Sequence, residues 1–224
     1  MAERPIFLPL VEGARLVDEI AVQFVWHSGM APSQKKKNVL ALHEAAARLG
    51  IGPLLEISSK SEDEVGRRLS AFHLKLTIDG METTLESLYQ GSKVFERGGP
   101  FVDLYAATSR DAKLDPRMKE SGRLIGFRLQ GQSYPLTPKS AFYDWLYITA
   151  LYPHQEWLKR LHKLAGYTDI EFNPQRSVNC QARSFATFIA LQKRGYIKEA
   201  LKSFASFREC LQRSSVDIAS LRDL

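Results

Sequence analysis

The sequence predicts an α+β fold, mostly helical, with a small β-sheet contributed by the N-terminal third of the chain. Two patterns carry this prediction. Runs rich in Val and aromatic residues, or alternating apolar with polar, fall before about residue 80. Beyond that point the apolar residues recur at helical spacing, in long segments separated by Gly, Pro and polar turns.

The elements follow in order. Ile20 to His27 (IAVQFVWH) has strand composition. Ser33 is placed to cap a helix through Leu49, with Val39, Leu42, Ala46 and Leu49 on one stripe, and Gly50, Gly52 and Pro53 end it. GPLLEISS then supplies a short buried strand, and Ser59 to Arg68 is a polar loop or short helix. From Phe72 to Ile78 apolar and polar residues alternate, which marks a half-buried strand turned by Asp79-Gly80. Helices are expected over Thr84–Glu96, Phe101–Ala107, Lys139–Tyr152, Pro153–Leu164, Ala182–Arg194 and Lys198–Arg213. This reading divides the chain into a β-α-β extension over 1–60 packed on the core, a main domain over 61–213 and a tail over 214–224.

At 224 residues the chain can bury a core without disulfide or metal. Its two cysteines, Cys180 and Cys210, form no C-x-x-C pair. The five histidines lack metal-ligand spacing, so no metal and no cofactor is expected. MAERPIFLPL does not read as a signal peptide, and the apolar run Trp145–Tyr152 is too short to span a bilayer, so a cytoplasmic protein with no membrane partner is expected. A net charge of +6 and a pI near 9.3 favour polyanionic partners. Lys35-Lys36-Lys37 and Arg67-Arg68 are candidate contacts to a phosphate backbone, although such runs are commonly solvated faces.

The segment richest in chemistry is Thr83 to Lys93 (TTLESLYQGSK). On a helix, Glu86, Tyr89, Gln90 and Lys93 share one stripe, with Glu86 and Lys93 about 10 Å apart along it. A carboxylate, a phenol, an amide and an amine on one face can supply proton transfer, hydrogen bonds and a nucleophile. The same residues also spell a capping box, Thr83-x-x-Glu86, in which Glu86 only satisfies the helix start. Spacing alone leaves both readings open.

The order of motifs resembles the NADAR (YbiA-like) family over about Leu69 to Arg194. Leu69-Ser70-Ala71-Phe72 stands where the family carries Leu-Ser-Asn-Phe, and Asp79-Gly80 matches its turn. Glu86, Tyr89, Gln90 and Lys93 match its Glu/Lys segment, and Lys119 to Arg123 matches its Lys-x-x-Gly-Arg. Asp169 takes the place of an Asp that precedes Trp-Gly, with Cys180-Gln181-Ala182-Arg183 leading the next helix. Ala71 in place of Asn, and Glu171-Phe172 in place of Trp-Gly, mark a divergent subgroup. The N-terminal segment, LEISSKS and FYDWLYITAL look like the NADAR antitoxins paired with DarT-type toxins, which ADP-ribosylate guanine in DNA.

The resemblance implies an ADP-ribosyl (N-glycosyl) hydrolase acting on ADP-ribosylated DNA or nucleobase, with a DarT-type toxin as possible partner. It implies Lys93 as nucleophile, Glu86 as proton carrier and Asp169 as a stabiliser of charge or of a ribose hydroxyl. Substrate contacts are expected from Ser70, Phe72, Tyr89 and Gln90, with Arg123 on the diphosphate and Asp144 orienting a catalytic group. Two other functions fit the same residues: an N-glycosidase on riboflavin-pathway ribosylamine phosphates, and a non-enzymatic antitoxin that binds toxin or DNA.

Overall fold

The computed structural model describes residues 1–216 except Met30 and Arg176. It opens with an antiparallel hairpin, β1 (Ala2–Pro9) and β2 (Val17–Phe24), paired from Ala2↔Phe24 to Pro9↔Val17. The predicted strand at 20–27 is therefore displaced, and β1 was not foreseen. Pro5 and Pro9 argue against a strand because they cannot donate to a ladder. They are tolerated here because β1 meets its second neighbour only at Phe7↔Tyr167.

Helix α1 (Pro32–Arg48) starts two residues earlier than expected, with Ala31 at the cap, Pro32 in the first turn and Ser33 inside the helix. Proline suits that place because the amide it lacks has no helical partner there. Val39, Leu42 and Ala46 are buried as expected, whereas Leu49 lies beyond the helix and is exposed. Buried Asn38 makes reciprocal hydrogen bonds with the backbone of His27, at 2.7 and 3.0 Å, tying α1 to the end of β2. Strand β3 (Leu54–Glu56) follows, then α2 (Glu64–Arg68), capped by Asp63, whose carboxylate accepts from Val65 N.

The Asp79-Gly80 turn closes a hairpin between β4 (Lys75–Ile78) and β5 (Met81–Thr84). Both turn residues have positive φ, at 52° and 79°, as a two-residue hairpin connection requires. Then comes α3 (Leu85–Gly91), which is shorter than predicted: it gives way at Ser92 to strand β6 (Lys93–Phe95). The causes are tertiary. Gly91 O accepts from Phe101 N at 2.7 Å, Ser92 O accepts from Arg128 N at 2.8 Å, and Lys93 pairs with Phe127. The short helices α4 (Ser109–Leu114) and α5 (Arg117–Glu120) precede β7 (Leu124–Leu129) and β8 (Gln132–Tyr134), which complete a sheet in the order β6-β7-β8. Strands thus extend beyond the N-terminal third, within the predicted α+β class.

The remaining chain is helical apart from β9 (Gly166–Thr168): α6 (Ala141–Leu151), α7 (Gln155–Leu158), α8 (Gln181–Lys193), α9 (Ile197–Ala200) and α10 (Phe204–Val216). The helix expected at 153–164 is broken into single turns, and the one expected at 198–213 is split at Leu201–Ser203. Of the predicted tail, 214–216 continue α10 and 217–224 lie outside the described residues.

Strand β9 joins the N-terminal strands in a four-stranded sheet ordered β2-β1-β9-β3, antiparallel to β1 and parallel to β3. Successive residues of β1 face opposite sides of this sheet. Ile6 joins Val22, Phe24, Leu42 and Ala46 under α1, while Phe7 joins the main core with Tyr147, Tyr167, Phe185 and Phe188 from α6, β9 and α8. Each such buried side chain contributes roughly 1.5–3 kcal/mol relative to exposure. The sheet is therefore fixed from both faces, and β9 delivers the next residue, Asp169, to a defined place.

Candidate active site

A cavity of about 600 Å³ opens where α3, β9, the start of α8 and the loops after β3 and α2 converge. Ser70, Phe72, Glu86, Tyr89, Gln90, Lys93 and Asp169, which sequence reasoning singled out, all line it. Lys60, Lys113, Tyr143 and Asn179, which the sequence did not single out, line it as well, as do Glu171 and Gln181, which entered only through the family resemblance. The polar pair at the head of α8 was a usable signal for Asn179 and Gln181. Lys113, on the separate helix α4, left none.

The capping-box reading of Glu86 does not hold. The cap of α3 is Thr84, whose hydroxyl accepts from Ser87 N at 3.2 Å. Glu86 is buried, and its carboxylate instead accepts from Gln90 Nε2 at 2.9 Å and meets Lys113 Nζ at 3.8 Å. Gln90 Oε1 in turn accepts from Lys93 Nζ at 2.6 Å. Acid, amide and amine therefore form one chain, although Lys93 stands at the start of β6 and not on the helix. The expected 10 Å helical gap between Glu86 and Lys93 is replaced by this bridge.

The Lys93 amine also lies 5.0 Å from the centre of the Tyr89 ring. Burial lowers its pKa to about 8; Glu86 opposes the shift and Lys113 reinforces it. At pH 7 roughly one amine in ten is then neutral, against fewer than about one in a thousand for an ordinary lysine. Tyr89 is held by Asn179 Nδ2, which donates to its hydroxyl at 2.7 Å, and by an edge contact to Tyr143 at 5.1 Å. Burial pushes the Tyr89 phenol up, so it stays neutral and can act as a hydrogen-bond donor.

Asp169, 6% exposed and one residue beyond β9, also lines the cavity. It accepts from Glu171 N at 3.1 Å and from the Gln181 side chain. Gln181 Oε1 accepts from Ala71 N at 2.9 Å, so this amide joins Asp169 to the segment where the family's Asn is replaced. Burial first, and the Glu56 charge second, raise the Asp169 pKa. Ser70 Oγ is hydrogen-bonded to His73 Nδ1 at 2.8 Å, and Phe72 carries Lys113 Nζ 5.3 Å above its ring.

Two expected residues are absent from the cavity wall. Arg123 is 81% exposed and pairs with Glu96 at 3.0 Å, so it is not placed to grip a diphosphate there. Asp144 is buried, but it accepts from Ser140 Oγ at 2.7 Å and from Ser184 Oγ at 2.5 Å, which ties α6 to α8. Both departures have one cause: a partner close in space but distant in sequence. Among the described residues no group of three His, Cys, Asp or Glu side chains is arranged to hold a metal ion. No helix among them is long and apolar enough to cross a membrane.

A search of curated proteins finds no match to the chain. A family match spans residues 2–220, nearly the whole chain and all the residues that build the cavity: the chain belongs to the DarT1-associated NADAR antitoxins.

Proposed function

We propose that the protein hydrolyses the N-glycosidic bond between ADP-ribose and guanine in DNA, reversing the mark left by a DarT-type toxin. The observation that carries this reading is the Lys93–Gln90–Glu86 chain on the cavity wall, with an amine whose pKa burial lowers to about 8. Cleavage at an anomeric carbon passes through an oxocarbenium-like state, which a nucleophile and nearby carboxylates favour. The neutral Lys93 amine adds to that carbon as the bond to the base nitrogen breaks; the ammonium so formed gives up a proton, and the ribose ring opens to an imine. Glu86, in contact with the amine through Gln90, carries the proton to the departing base and later takes one from the attacking water. Water then releases ADP-ribose and returns the amine. Asp169, also on the cavity lining, holds a ribose hydroxyl, and Lys60 and Lys113 replace Arg123 as partners of the diphosphate.

Two further observations support a large anionic ligand. A 600 Å³ cavity exceeds what a ribosylamine phosphate needs, and three lysines line it. The experiment is a release assay: a guanine-ADP-ribosylated oligonucleotide and riboflavin-pathway ribosylamine phosphates are incubated side by side with the protein. Free ADP-ribose from the oligonucleotide is expected. Turnover of the metabolites alone would replace this reading with the small-molecule one, and protection from toxin that survives loss of both Glu86 and Lys93 would remove the enzyme.

A further inference from the structure

Glu56 is a fully buried acid that takes no part in the chemistry above, and it comes from β3, far in sequence from the residues lining the cavity's catalytic wall. Its carboxylate accepts from Thr168 Oγ1 at 2.7 Å and from Ile170 N at 2.9 Å. These are the residues immediately before and after Asp169. Ser58 supplies a third neutral donor. Thr168 Oγ1 is also joined to His43 Nε2, from α1, at 2.8 Å. Since Thr168 spends its proton on Glu56, the histidine must be the donor in that contact.

We infer that Glu56 is a positioning residue for Asp169: by bracketing it on both sides it fixes the direction in which the Asp169 carboxyl enters the cavity. The inference rests on the reading of Asp169 as part of the site. It makes β3 and α1 components of the catalytic apparatus and not an accessory extension.

The charges around Asp169 give Glu56 a second effect. Glu171, which follows on the same loop, is offset by Lys35 of α1 at 3.1 Å. Arg4 of β1 is close enough to feel both Asp169 and Glu171. His43 is lowered to about 4 by burial and is neutral. Tyr143 and Tyr147 of α6 and the Cys180 thiol are pushed up by burial and are neutral too. Glu56 has no cationic partner among the described residues. Burial raises its own carboxyl, and three donors draw it back toward the ionised form. Whenever Glu56 is ionised, its charge favours the proton on Asp169, which then donates a hydrogen bond to the substrate.

The test compares the full-length wild type with Glu56→Gln, by the pH profile of ADP-ribose release and by the NMR titration of the Asp169 carboxyl carbon, assigned with Asp169→Asn. Removing the neighbouring charge eases ionisation of Asp169, so its midpoint should fall by at least about one pH unit. The alkaline limb of the rate profile should move down with it, with kcat reduced about tenfold at pH 8 and KM within about threefold. A lower kcat with both titrations unmoved would leave Glu56 a purely structural residue and overturn the inference. If Glu56→Gln does not fold, Thr168→Val cuts one arm of the bracket: a folded variant with kcat at least about fivefold down supports it, and wild-type kcat overturns it. The NMR shift needs no turnover, so a moved Asp169 midpoint without ADP-ribose release would reject the proposed hydrolysis and retain the bracket.

Discussion

Lys93 Nζ donates to Gln90 Oε1 at 2.6 Å, across the point where helix becomes strand. The geometry is set by two different elements. Gln90 belongs to the last turn of α3, and Lys93 is aligned by its pairing with Phe127 of β7. An amide between acid and amine lets a proton position on one be sensed by the other without direct ion pairing, which would hold the amine charged.

Lys93→Ala should reduce ADP-ribose release by at least about a thousandfold, since a covalent nucleophile has no substitute nearby. Its unfolding free energy should stay within about 1 kcal/mol of wild type, because the side chain is only half-buried. Borohydride added during turnover should leave ADP-ribose on the wild type and none on the variant, read by intact mass. Wild-type turnover by the variant would end the imine mechanism.

The pH dependence has a definite sign. On the proposed mechanism the amine works when neutral, so the acid limb should climb about tenfold per unit and bend near 8, the lowered pKa of Lys93. The Lys113 charge helps to hold that value down, so Lys113→Gln should move the acid limb to higher pH. Glu86 acts in the opposite sense, so Glu86→Gln should move the limb to lower pH while cutting the maximal rate. Steady-state profiles of the three proteins decide it; parallel shifts in both variants would contradict the assignment.

Gln90→Glu keeps the shape of the bridge and adds a charge 2.6 Å from the amine. An opposite charge at that distance favours the ammonium form, so the acid limb should move up by at least about one unit. For a one-unit shift the rate should fall about tenfold at pH 7 and only about twofold at pH 9. Gln90→Leu, without either bond, should lower kcat at every pH.

Gly91 occupies the turn that lets α3 end where it does. A Cβ there would sit 2.6 Å from the Tyr105 ring and 2.8 Å from Phe101 O, and the carbonyl has no room to yield. Gly91→Ala should cost about 1–3 kcal/mol, visible as a lower urea midpoint. It should also reduce kcat, because Lys93 lies two residues on.

Local pattern was enough for the α+β class, the α1 and α8 segments, the Asp79-Gly80 turn and the grouping of Glu86, Tyr89, Gln90 and Lys93, whereas Ser70, Phe72 and Asp169 came only from the family resemblance. What it missed has a common origin. The helix starting at Leu85 was read through to Glu96 because its apolar spacing continues; β7, some thirty residues on, converts residues 93–95 to a strand. Strand β1 was hidden by two prolines whose tolerance depends on how little of β1 the neighbouring strand covers. Asp144 and Arg123 carry the right chemical groups, yet Ser184 and Glu96 occupy them, and no local spacing announces either partner.

The parallel pairing of β3 with β9 also bears on biosynthesis. Glu56 and Thr168 are separated by 112 positions, so the ribosome releases β3 well before its partner exists. Until then Leu54–Glu56 is an open edge carrying a buried-type acid, a state prone to wrong pairing. Because contacts of such long range form slowly, refolding should be limited by the closure of this sheet. Only after that closure is Asp169 carried to the cavity, so chains lacking β9 should release no ADP-ribose.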